Sequence, residues 1–61
     1  MNEVQAWGVF RDDRLVSSEK GQIEKDAVEQ ATALNKFNGD HARYVAQPIR
    51  GRRIRVEPPT P

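Results

Sequence analysis

Sixty-one residues make room for one domain, and a chain this short buries only roughly 60% of the surface its unfolded form exposes, so its margin of stability is thin. It has no cysteine, which excludes disulfides, thiolate metal sites and a cysteine nucleophile, and no apolar run near the ~20 residues that a bilayer crossing needs. The net charge of +1 conceals an asymmetry: residues 1–40 carry five Lys/Arg against eight Asp/Glu (−3), and residues 41–61 carry five Arg against Glu57 alone (+4).

The opening Met1-Asn2-Glu3-Val4-Gln5 lacks the basic patch and apolar run of a signal peptide, so the cytoplasm is the expected compartment. Val4 to Arg11 is rich in aromatic and β-branched residues, as strands are. Asp12-Asp13 then separates it from a second β-like run, Arg14 to Ser18, and the pair reads as a hairpin. Asp-Asp is a weaker turn than Asn-Gly, because the second position favours glycine where φ is positive, which leaves a longer loop open. With a two-residue turn, Arg11 pairs with Arg14 and Phe10 with Leu15. Ala6, Gly8, Phe10, Leu15 and Ser17 then share one face, and Trp7, Val9, Val16 and Ser18 the other.

After the polar connector Ser18 to Gly21, the apolar residues Ile23, Ala27, Ala31, Leu34 and Phe37 recur at helical spacing. Acidic Glu24, Asp26 and Glu29 lie early and Lys36 late, in keeping with the helix dipole, and Asn38-Gly39-Asp40 supplies the stop. Arg43 to Gln47 reads as a third strand, ended or pushed to an edge by Pro48. Arg50-Gly51 turns the chain into a fourth candidate strand, Arg53 to Glu57. The expected fold is α+β: a small antiparallel sheet of three or four strands in the order β-β-α-β, with one helix on one face. Residues 1–57 make the domain and residues 58–61 a disordered proline-rich tail.

One helix covers one face of such a sheet, yet both faces carry large apolar groups. The uncovered face is then a surface for a second copy or another protein, unless a register shift, a bulge or the tail buries it within one protomer.

The residues that carry catalysis elsewhere form no constellation here. His41 stands alone in the loop after the helix, Ser17 and Ser18 lack a nucleophile-elbow context, and Gly21, Gly39 and Gly51 are too scattered for a phosphate loop. Asp12-Asp13 reads as a turn former, with no further acid or glycine at calcium-loop spacing. The expectation is a non-enzymatic chain with no cofactor, no metal, no membrane span and no small-molecule substrate.

The chemical feature that stands out is Arg50-Gly51-Arg52-Arg53-Ile54-Arg55. Its guanidinium groups suit bidentate contact with carboxylate or phosphate. Three readings stay open: an acidic protein partner, nucleic-acid phosphates with Arg43 and Tyr44 alongside, or a solvated edge that guards against strand-to-strand aggregation or pairs with the chain's own acids. The candidate contact residues are therefore Arg43, Arg50, Arg52, Arg53 and Arg55 for charge, with Trp7, Phe10 and Tyr44 as apolar anchors.

The runs Trp7-Gly8-Val9-Phe10, Arg14 to Ser17, Ala27 to Ala31 with Leu34-Asn35, and Tyr44 to Pro48 together resemble a pattern in short uncharacterised phage, prophage and plasmid-encoded proteins. The resemblance covers about residues 4–48 and leaves out the arginine segment. It implies a hairpin–helix–strand fold and an accessory role, binding and modulating a host or phage complex. It transfers no site residue.

Overall fold

A computed structural model of the chain describes residues 2–39 and 43–56. Two long strands dominate it, β1 (Asn2–Arg11) and β3 (Val45–Val56), with the short β2 (Arg14–Leu15) and a single helix, α1 (Glu24–Asn38), between them in the chain. The sheet is antiparallel in the order β2-β1-β3, so β1 is central and β3 lies at an edge. Helix α1 packs on one face, giving the expected α+β architecture in a flat molecule with extents of 41 × 28 × 12 Å.

The hairpin forms as the alternation of residues requires. Phe10 pairs with Leu15 and Arg11 with Arg14, leaving Asp12 and Asp13 as a two-residue loop. Both adopt the left-handed conformation (φ 52° and 64°), the condition for the turn whose twist matches the strands it joins. Aspartate tolerates this better than most residues because its short side chain bonds nearby backbone. The second arm is shorter than expected: β2 stops at Leu15. Beyond it, Val16 N–H donates to Val9 C=O (2.9 Å) and Ser17 Oγ accepts from Val9 N–H (2.9 Å). Gln22 then returns to β1 and exchanges two 2.7 Å backbone hydrogen bonds with Trp7.

Helix α1 starts at Glu24 without a side-chain cap. Ile23 holds the cap position in an extended conformation, and Glu24 and Asp26 place negative charge at the positive end of the dipole. At the other end Gly39 has φ 64°, as a stop after Asn38 requires, and Asn38 Nδ2 donates to Leu34 C=O (2.7 Å). The inward stripe is Ala27, Ala31 and Leu34, packed with Val9, Trp7, Tyr44 and Ala46. Phe37 does not continue it. Asn38, four residues after Leu34, takes the half-buried position, and Phe37 swings off the stripe to 90% exposure.

The largest departure from expectation lies in β3. Pro48 does not end the strand, and Arg50-Gly51 does not turn the chain into a fourth one; a single strand runs from Val45 to Val56. Its partner throughout is β1. Val45 to Pro48 pair with Phe10 to Trp7, and Arg53 to Val56 pair with Gln5 to Asn2. Ile49, Arg50, Gly51 and Arg52 therefore stand opposite Ala6 alone, as a wide bulge in which Gly51 supplies φ 74°. Proline is accommodated because β3 is an edge strand, where one side of the backbone needs no partner.

The bulge also resolves the question of the second sheet face. Trp7 and Val9 lie under the helix. On the opposite side Ala6 and Gly8 are buried as well. A Cβ built on Gly8 would meet Leu15 Cδ1 at 2.6 Å, and Ile49 Cδ1 and Ser17 Oγ at 3.1 Å, so those side chains already fill the space above it. Phe10, Leu15 and Ile49 are half-buried and Val45 remains exposed. Part of the face left free by the helix is thus covered within the protomer, by Leu15 and Ser17 from the hairpin arm and Ile49 from the bulge, which leaves less apolar surface for a second copy to meet. His41, Glu57 and the expected tail of residues 58–61 lie outside the described residues.

Candidate binding surface

The bulge divides the β1–β3 pair into two halves of different character. On one side, residues 7–10 with 45–48 carry the core. On the other, residues 2–5 with 53–56 form a two-stranded ribbon in which Glu3 faces Arg55, Val4 faces Ile54 and Gln5 faces Arg53. Cross-strand partners share a face, so Glu3, Gln5, Arg53 and Arg55 lie on one side of the ribbon and Val4 and Ile54 on the other.

Gln5 joins the halves. Its Nε2 lies within hydrogen-bond distance of Ile49 C=O (2.7 Å), Arg52 C=O (3.1 Å) and its neighbour Ala6 C=O (3.0 Å), its two hydrogens shared among the three, so one side-chain amide reaches carbonyls at both ends of the bulge. Carbonyls that the disrupted ladder leaves without a strand partner are satisfied in this way. Nothing in the local sequence marks Gln5 for this role; it follows from the register, which sets residues 49–52 beside it.

The five candidate arginines are all exposed. Arg50 and Arg52 project from the bulge and Arg53 and Arg55 from the ribbon, a contiguous basic segment at one end of β3. Arg43 belongs elsewhere, at the hairpin end of the molecule beside Tyr44. Among the described residues the only ion pair is Arg11 Nε with Asp12 Oδ2 at 4.0 Å, a surface contact at the limit of such a pair. Arg50, Arg52, Arg53 and Arg55 have no carboxylate within that distance among the described residues, and Glu3, though opposite Arg55 in register, does not close on it.

The aromatic anchors are not assembled with this segment. Trp7 and Tyr44 are half-buried against the helix-side core. The Tyr44 ring also lies under the Arg11 guanidinium, 5.9 Å from the centroid, and its backbone is held by Asn35, whose Oδ1 accepts from Tyr44 N–H (2.7 Å) and whose Nδ2 donates to Tyr44 C=O (2.9 Å). Asn35 thus replaces a neighbouring strand at the start of β3, another role that sequence spacing does not announce. Phe10 sits on the opposite face, beside Leu15 and Val45. The one fully displayed aromatic, Phe37, is on the helix and was expected in the core.

Two shallow depressions lie among the described residues. One, of about 420 Å³, lies where the ribbon meets the start of α1 and is lined by Val4, Gln5, Trp7, Ile23, Glu24, Lys25 and Val56. The other, of about 430 Å³, lies at the hairpin and is lined by Arg11, Asp12, Arg14 and Val16. Neither gathers a nucleophile with a base, and among the described residues no group of three or more His, Cys, Asp or Glu is placed to hold a metal ion. No described helix is long and apolar enough to cross a membrane. No family model, curated protein or solved structure matches the chain.

Proposed function

We propose that the protein is a small non-enzymatic binding module that acts by protein–protein contact, presenting Arg50, Arg52, Arg53 and Arg55 to an acidic surface on its partner. The observation that carries this reading is the exposure of all four arginines together with the lack of a carboxylate partner for them among the described residues. Pairing with the chain's own acids would have consumed these charges, and among the described residues no carboxylate reaches them. A role as an accessory protein of a mobile element, modulating a host complex from the cytoplasm, is the setting that the sequence resemblance suggests for such a module.

Nucleic acid is the second reading, and the two-stranded ribbon favours it in one respect: the major groove of duplex DNA admits such an element. One feature weighs against it. Tyr44, the expected stacking residue, is half-buried and already engaged by Arg11.

Titration with fluorescent polyglutamate, duplex DNA and single-stranded RNA across a salt series tests the proposal. Polyglutamate should bind more tightly than either nucleic acid at matched charge, and Arg52→Ala/Arg53→Ala should weaken it by about ten-fold or more. Tighter binding to nucleic acid, with affinity falling steeply as salt rises, would transfer the function to the second reading. Binding of neither class overturns both.

A further inference from the structure

The arginine segment lies on a strand whose outer edge is open. In the order β2-β1-β3, β3 has β1 on one side and, among the described residues, nothing on the other. In an antiparallel pair alternate residues turn both their N–H and C=O groups toward the partner strand, so the remaining residues of β3 turn theirs outward. A row of unpaired backbone groups is a template for another extended segment.

The charges on that edge select what can pair there. A second copy docking β3 against β3 would align arginines with arginines, and like charges directly opposite one another destabilise a ladder. An acidic strand meets the reverse situation. Arg53 and Arg55 project to the same side of the ribbon and Ile54, half-buried, to the other. The complementary sequence therefore alternates acid, apolar, acid, placing carboxylates beside the two guanidinium groups and an apolar side chain beside Ile54. The outer edge of β1 over residues 2–5 is also without a neighbour among the described residues, but there Glu3 repels such a segment. Charge thus distinguishes two otherwise similar edges.

We infer that β3 accepts an extended acidic peptide as a fourth strand along Arg53–Val56, with an acid–apolar–acid pattern read by Arg53, Ile54 and Arg55. The inference rests on the proposed acidic partner and adds the mode of contact: main-chain hydrogen bonds bind the segment, and the alternating side chains choose it. Nucleic acid has no such backbone to offer and is the competing outcome.

The probe is the synthetic peptide Glu-Val-Glu-Val-Glu, blocked at both ends, with two derivatives of equal charge. One is N-methylated at the glutamates and the other at the valines, so each removes the amide protons that would point to one side of the strand. Titration calorimetry with the full chain should show binding of the parent, loss of about ten-fold or more in one derivative only, and a similar loss for Arg53→Ala/Arg55→Ala. Hydrogen exchange should slow at alternate amides of residues 53–56 when the parent peptide is present. If both derivatives bind as well as the parent, and no β3 amide is protected, strand addition is overturned while an acidic partner held by charge alone survives. If no acidic peptide binds, the inference and the reading beneath it fall together.

Discussion

The same two strands behave differently on either side of the Ile49–Arg52 bulge. From Trp7 to Phe10 and Val45 to Pro48 they lie against α1, Asn35 clamps the start of β3, and the apolar side chains of Val9, Ala27 and Ala31 are shut away from water. From Asn2 to Gln5 and Arg53 to Val56 they form a ribbon whose glutamate, glutamine and arginines are exposed, with Ile54 and Val56 half-buried. Strand pairing on both sides of a bulge therefore does not imply burial on both sides. One half holds the buried core and the other is exposed, and a bulge stitched by one glutamine separates them.

That division can be broken first in the packed half. Gly21 has φ 88°, and a Cβ built there would sit 2.5 Å from Ala6 Cβ, a buried atom with no rotamer by which to withdraw. Gly21→Ala should cost about 2–4 kcal/mol, the sum of left-handed strain and overpacking, read as a shift of the urea midpoint. At the junction, Gln5→Ala removes the amide that reaches both ends of the bulge. The expected loss is about 1–2 kcal/mol, with faster amide exchange concentrated in residues 49–53 rather than in α1. Uniform acceleration through the helix would show that the two halves are one cooperative unit. The smallest effect belongs to Phe37→Ser: at 90% exposure it should change stability by less than about 0.5 kcal/mol, and a larger change would mean that Phe37 is covered by something in solution.

Local patterns carried much of this. The hairpin register follows from strict alternation on either side of Asp12-Asp13, and the helix from Ala27, Ala31 and Leu34 with a glycine stop at Gly39. The arginine segment was visible as a run of charge. Local pattern fails where a residue's own signal is opposed by a distant partner. Pro48 and Gly51 are breakers in isolation, yet β1 is long enough to pair with β3 on both sides of them. Phe37 has the spacing of a core residue, but Asn38 occupies the inward position at that end of the helix.

By itself, the sequence determined the elements, their order and the concentration of positive charge after residue 42, because propensity, periodicity and charge reside in short stretches of chain. Only the tertiary structure decided that β3 is one strand, that Ile49 packs over Gly8 and covers part of the second face, and that Gln5 and Asn35 are structural clamps. Each of those depends on which residues lie opposite one another across 35 or more positions of chain, or across the gap between helix and sheet, and a linear pattern contains no record of that pairing.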